Sequence, residues 1–537
     1  MRKALSILAI FVTAAAAAWL CGCASVSLGS NLGTGGSNQL QTSPGAVPVS
    51  LTITDDPPAG VSVLFFQVSL TAASLQPTSQ QSTAGTPVSL LPNGNPIEID
   101  VTQLQALSAF LSTVNVPAGN YSSLSLTFAN PQLVIFNNSD QSIAGTCAVG
   151  NVCQLTPTID NSATVNLSSS PFPVTVAANS PLGFLIDFHL NTIIQSDLSV
   201  NLGAANGVSV SQLKPPSAPT GTPLFGTLVG SVATVSSSLG QFTLQTPDGR
   251  SFTISTSSST AYDDFPASAC SAAGFSCIAQ GDIVRVQVSS VQTGGILLAA
   301  QITYVQTPSQ QTVVGTIVGI PPLPLPTGET VIQLILHQNP TASTSLPLGA
   351  MALVAVWAPG TGGHTATTFS IDSGGFTIPS GFTFASSNDL CVGQTVQVTI
   401  VPGSLQPSTS GGTAGAGGWG PPPEPSFTAS SLQLEPSQLT GTVSAISSPD
   451  FTLSVASMPP CGVTNSNTIA CPQFVALIPY DAVTTSQTTY QGFSTDDFGG
   501  LADNDMVSVS GWLFSPSGST TMPAIVPKNI VLRTTGI

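Results

Sequence analysis

The chain has 537 residues, length for about three to five domains, and 42% of them are hydrophobic while only 6% are charged. Its 7 Lys and Arg face 23 Asp and Glu, for a formal net charge of -16. That balance excludes a nucleic-acid partner, which needs clustered cations for phosphates, and it excludes electrostatic attachment to anionic lipid. Hydroxyl and amide side chains replace charges at the surface, and the 50 Gly and 44 Pro favour turns between many short strands.

Arg2 and Lys3 precede an apolar run from Ala4 to Leu20, too short and too poorly flanked for a stable spanning helix. Leu20-Cys21-Gly22-Cys23 follows. A small residue just before a cysteine, at this distance from a charged start, resembles the lipobox of bacterial lipoproteins. The resemblance implies that residues 1–22 are a cleaved signal peptide and that Cys23 becomes a diacylated N-terminus. Ala24 and Ser25 differ from the Asp of an inner-membrane retention signal, so the same analogy sends the protein to an outer membrane. Two or more acyl chains make a stable anchor, at about 0.8 kcal/mol per buried CH₂. Residues 23–47, rich in Gly, Ser and Asn, read as a flexible tether.

Seven cysteines follow the leader and the lipid site. Three local pairs are disulfide candidates in an oxidising compartment: Cys147 with Cys153, Cys270 with Cys277, and Cys461 with Cys471. Their spacings fit no zinc pattern and no His is near. Cys391 is left over and reads as a buried thiol.

The first domain spans residues 48–213. Val49, Leu51 and Ile53 alternate with polar residues, Val61 to Leu70 reads as a strand buried on both faces, and Ile97 to Val101 is another. Leu104, Leu107 and Leu111 recur at helical spacing, with Asp100 or Thr102 as a cap. Val116 to Tyr121 turns the chain into a strand over Leu124 to Phe128. Phe184, Ile186, Phe188 and Leu190 line one face of a late strand, Asp187 and His189 the other. Thr54, Asp56 and Pro58, then Pro117-Ala118-Gly119 with Tyr121, then Leu185 to Phe188 resemble a domain of unknown function that opens many exported bacterial lipoproteins. The resemblance implies a transthyretin- or prealbumin-like β-sandwich and carries no established activity. His189 stands where that pattern leads one to expect an acidic residue.

Residues 214–223 form a Pro-rich linker, and then the chain repeats. Gly226-Thr227-Leu228, Gly315-Thr316-Ile317 and Gly441-Thr442-Val443 each open a unit. Gly281-Asp282-Ile283-Val284, Gly393-Gln394-Thr395-Val396 and Asn504-Asp505-Met506-Val507 each lead into a late alternating strand. Units one and three share a Thr-Tyr step near Tyr262 and Tyr490. The units span 224–306, 311–435 and 438–535, each with five or six short strands, enough for a small closed barrel. They resemble a second family of unknown function often repeated in exported bacterial proteins, which implies OB-like barrels. Residues 403–425, Gly- and Pro-rich around Trp419, fall between the last two strands of unit two and read as an extended hairpin tip. The expected fold is therefore all-β: a sandwich followed by three small barrels.

No motif identifies a reaction. His189, His337 and His364 are the only histidines, none in H-E-x-x-H, and no G-x-S-x-G elbow or P-loop occurs. Asp187 and His189 share a strand face but lack a placed nucleophile. Ser211 to Lys214 fits S-x-x-K without a helix to carry it. Asp496, Asp497, Asp503 and Asp505, around Gly499 and Gly500, offer oxygen ligands for Ca²⁺ in a spacing that is not an EF-hand loop, against the alternative of a solvated turn. Asp55-Asp56 and Asp263-Asp264 are explained by turn chemistry. The reading is a lipid-anchored envelope or cell-surface protein, a non-enzymatic binding or structural scaffold needing no cofactor, whose partner is the membrane and an envelope glycan or protein. The alternatives are an envelope hydrolase built from scattered carboxylates and an accessory factor for surface assembly.

Overall fold

A computed structural model describes residues 46–533 apart from 57–61, 79–85, 92–95, 105–108, 138–141, 143–146, 148–151, 160–162, 178–181, 196, 214–225, 248, 267–273, 293–294, 307–310, 322–327, 340–345, 361–362, 407–423, 456–461, 464–468, 471–477, 496 and 517–521. Cys23, Cys270, Cys461, Cys471, Asp496, Trp419 and the tether before Ala46 lie outside the described residues. Ser43–Ile537 form one compact unit.

The first domain is a β-sandwich. In one sheet Ala46–Asp56 lies between Leu182–His189, parallel, and Ala109–Pro117, antiparallel, and Val208–Leu213 adds to the outer side of Leu182–His189. The first strand thus begins inside the stretch read as tether. The other sheet is built on the long antiparallel pair Ser62–Pro77 and Gly119–Phe136, with shorter strands along both flanks. Alternation puts Phe66, Leu126 and Phe128 from this sheet and Phe184, Ile186 and Phe188 from the first into one buried core. Phe128 and Phe188 meet edge to face, ring centroids 5.4 Å apart. The Pro-Ala-Gly-x-Tyr step works as a corner: buried Tyr121 donates its hydroxyl to the Pro117 carbonyl at 2.8 Å.

Among the described residues the expected helix over Leu104 to Leu111 is not found. Val101–Leu104 is a single 3-10 turn, and Leu111 belongs to the strand Ala109–Pro117. Asp100 does cap that turn, accepting from the Thr102 amide at 3.1 Å. The leucine spacing fits a helix, but Ala109–Pro117 finds its backbone partner in Ala46–Asp56, and pairing overrides local periodicity.

The three repeats share one strand order, first-second-third-fifth-fourth-first. In unit two this runs Thr312–Gly319, Glu329–Gln338, Met351–Trp357, Ser426–Glu435, Thr395–Ile400 and back, with the third and fifth strands parallel. In unit three it runs Ser437–Ser447, Asp450–Val455, Ile478–Val483, Ala524–Leu532, Met506–Phe514. Both sheets close into five-stranded barrels, an OB-type order. Unit one has the same five pairings, among Thr227–Ser236, Gln241–Gln245, Ser251–Ser255, Leu297–Gln306 and Ile283–Val291. Its sheet also runs on, through Thr227 beside Ala109, into the sandwich.

The opening glycines align differently from the sequence reading. Gly230, Gly315 and Gly441, rather than Gly226, occupy one position, facing Val284, Val396 and Val507 on the fourth strand. A Cβ there would stand 2.4–2.5 Å from a carbonyl oxygen of the second strand in every unit. The sterically required glycine sets the register, and the Gly-Thr at 226–227 is a look-alike four residues early.

A short extra strand precedes the fourth in each unit and pairs parallel with the fifth: Ala261–Asp263, Thr368–Ile371 and Thr489–Gln491. Its entry is pinned by a buried threonine hydroxyl donating to a fifth-strand carbonyl, Thr260 to Ala299, Thr367 to Ala429 and Thr488 to Pro527, at 2.8–2.9 Å. The step is Thr-x-Tyr in units one and three and Thr-x-Phe, ending at Phe369, in unit two.

Candidate functional site at the domain joints

Titratable side chains gather where the domains meet. Arg285 lies on the fourth strand of unit one, where Val284, Val286 and Val288 point into the barrel and Arg285 points out. Its guanidinium crosses to unit two, gripping both Glu435 oxygens at 2.8 and 3.2 Å and Asp372 at 3.0 Å. Asp372 and Glu435 are both buried. Trp512 of unit three, itself fully buried, donates its indole N–H to the Asp372 carbonyl at 2.8 Å. Asp263 and Asp264 form the rim, accepting from Gln301 at 2.8 Å and Gln433 at 3.1 Å. Lys528 of unit three faces the same group.

Four carboxylates therefore converge on two cations. Burial pushes the Glu435 carboxyl up, to about 7, against the pull of Arg285 and with Asp372 adding repulsion. Asp264 rises to about 6 through burial of its inner side and the nearby Asp372. Burial pulls the Lys528 amine down, with Asp372 opposing. Burial also works against the Arg285 charge, but Glu435 and Asp372 outweigh it and hold the guanidinium above its ordinary value. The pair shares its burden unevenly because two acids compete for one guanidinium.

A second joint ties the sandwich to unit two. Buried His337, on the outer face of the strand Glu329–Gln338, places Nδ1 2.7 Å from Asp100 of the sandwich. An ionised carboxylate can only accept, so Nδ1–H is the donor to Asp100, and Nε2 lies 3.0 Å from the Thr316 hydroxyl. Thr316 in turn meets Thr395 at 3.3 Å. Phe65, Val134 and Phe136 of the sandwich pack beside this chain on Val318 and Ile335 of the barrel.

The other described cations behave alike. Arg250 of unit one donates to the Leu111 carbonyl of the sandwich and lies over Phe252. Arg533 of unit three bonds Ser508 at 2.8 Å and approaches Asp187 of the sandwich at 3.8 Å.

The residues singled out from sequence fare variously. Cys147 and Cys153 form a disulfide, and Cys277 is disulfide-bonded. Cys391 is a free thiol, pushed up to about 12 by burial and packed against the core of unit three. Asp187 and His189 stand 3.9 Å apart, half-exposed on the outer strand face. Asp497 accepts from the Gly499 amide at 3.0 Å, capping a 3-10 turn. Asp505 accepts from the Ala502 amide at 2.8 Å, a role filled by Asp282 with Ala279 and by Gln394 with Cys391 in the other units. A glutamine in the same role marks the position as a turn device. Asp503 is exposed. Among the described residues no group of three or more His, Cys, Asp and Glu is placed to hold a metal ion.

Sequence reasoning passed over Arg285, Asp372, Glu435 and Lys528, and met Asp100 only as a cap and His337 only in the search for catalytic motifs. One signal was present: in a chain this short of cations, each Lys and Arg is worth following. Residues 46–206 match a domain of unknown function, DUF4382, and residues 229–303 match another, DUF5666. No curated protein matches the chain, and no solved structure does.

Proposed function

We propose that the protein is an exported, lipid-anchored scaffold that holds a braced set of β domains at an envelope surface and presents them to a glycan or protein partner without catalysing a reaction. What supports this reading is where the scarce cations stand. Each of the four described Lys and Arg side chains, and His337, faces a group in a different domain from its own. Groups that could do chemistry are engaged in holding domains together. The disulfide at Cys147 and Cys153 suits an oxidising compartment, and acylation of Cys23, once residues 1–22 are cleaved, supplies the anchor. Metabolic labelling with palmitate tests the anchor: the wild type incorporates label and fractionates with membranes, and Cys23→Ala does neither. Retention of the lipid-free chain on envelope glycans or proteins, without turnover, tests the scaffold.

One observation favours a hydrolase instead. Asp100, His337 and Thr316 form an acid-imidazole-hydroxyl chain with catalytic distances. Against it, Thr316 sits mid-strand, flanked on both sides by paired strands, rather than on an exposed turn. A fluorophosphonate probe that labels the wild type but not Thr316→Val would favour that alternative.

A further inference from the structure

We propose that the joint between the first two barrels is an acid-tightened coupling: closing it gathers an excess of carboxylates around Arg285, so the closed form takes up protons. The geometry supplies the argument. Glu435 is faced by Arg285 from unit one and by Asp372 from its own barrel. Asp263 and Asp264 approach from unit one and Lys528 from unit three. With all acids ionised the closed joint holds two uncompensated negative charges in a buried setting, a costly arrangement. Separating the barrels lets water solvate them.

Glu435 and Asp264 bind protons more tightly in the closed joint than in open chain. The stability this contributes is fully present below about pH 4, the ordinary carboxylate range, and is lost as pH rises through about 6 and about 7. Acid closes the joint and alkali loosens it. One linked proton changes the open-closed ratio by at most about tenfold per pH unit.

Hydrogen exchange on the full chain tests this, comparing wild type with Glu435→Gln at the same pH so that intrinsic exchange cancels. Gln keeps the shape of Glu435 and one of its two acceptor oxygens without its charge. The expected result is a wild-type to variant ratio of exchange rates in residues 283–291 and 426–435 that is several-fold higher at pH 8.5 than at pH 4. A ratio that is the same at both pH values, or that falls between pH 4 and pH 8.5, overturns the proposal. If Glu435→Gln fails to fold, Asp264→Asn on the exposed rim serves the same comparison, with a smaller difference in the same direction.

Discussion

At the scale of single residues, the repeats are specified by small, sterically exacting positions more than by their polar chemistry. Gly441 shows this. Its backbone is not in the left-handed region, so its role is space: a Cβ would lie 2.5 Å from the Ser454 carbonyl oxygen. Gly441→Ala should destabilise by about 1–3 kcal/mol, the usual range for overpacking a fitted site. Gly203→Ala, where the nearest atom is 3.7 Å away, should change stability by less than about 0.5 kcal/mol. Denaturant unfolding of both variants checks the contrast; equal midpoints would mean that the strands part freely at Gly441. The same scale shows why the sequence misaligned the opening glycine of the first unit. Gly226-Thr227-Leu228 matches the Gly-Thr-apolar opening of the other units more closely than Gly230-Ser231-Val232 does, and only the across-strand carbonyl, invisible in the chain, marks Gly230 as their counterpart. The acidic loop carries a similar ambiguity. Four aspartates within ten residues offer oxygen ligands, while Asp497 and Asp505 also accept backbone amides as their counterparts Ser386 and Gln394 do.

At the scale of elements, alternation was a reliable guide wherever one face meets a barrel or sandwich interior. Late strands such as Ile283–Val291, and fifth strands such as Ser426–Glu435, stand where period-two patterning places them. It failed at Leu104 to Leu111, where a helical period and a strand compete and long-range pairing decides. The Gly/Pro-rich stretch of unit two tests the same logic of topology. It enters and leaves between Thr395–Ile400 and Ser426–Glu435, which pair antiparallel, and Gln406 bridges Ser426 at its base. Replacing residues 407–423 with a two-residue Gly turn should leave the melting midpoint of the chain unchanged or slightly raised, since halving a loop returns only about 0.6 kcal/mol of closure entropy. Thermal denaturation followed by circular dichroism reads this directly. A large drop would assign the stretch a packing role that its place in the barrel does not require.

At the scale of the whole molecule, the domains behave as a braced body rather than beads on a string, and the bracing was the least legible feature in the sequence. Lone residues separated by 87 to 346 positions make these joints, and no local pattern announces such partners. The sandwich and second barrel illustrate the consequence. Their contact combines a small apolar seam around Phe65 and Ile335 with the pair Asp100 and His337, whose side chains are 9% and 1% exposed. Removing one member of a buried pair strands the other's charge, at about 3–5 kcal/mol. His337→Ala should therefore weaken this joint far more than the loss of an imidazole's packing would. Because the seam is small, the effect should appear as separation of domains: one calorimetric transition for the wild type, two for the variant, the sandwich melting apart from the barrels. Asp100→Asn combined with His337→Ala removes the stranded charge as well. The double variant should then recover part of the lost stability, a non-additivity expected of directly coupled residues. Asp100 also caps the 3-10 turn at Thr102, so the recovery should be incomplete even though Asn can cap. A double variant no more stable than the two losses summed would remove the coupling, and with it the argument that this histidine serves as a joint.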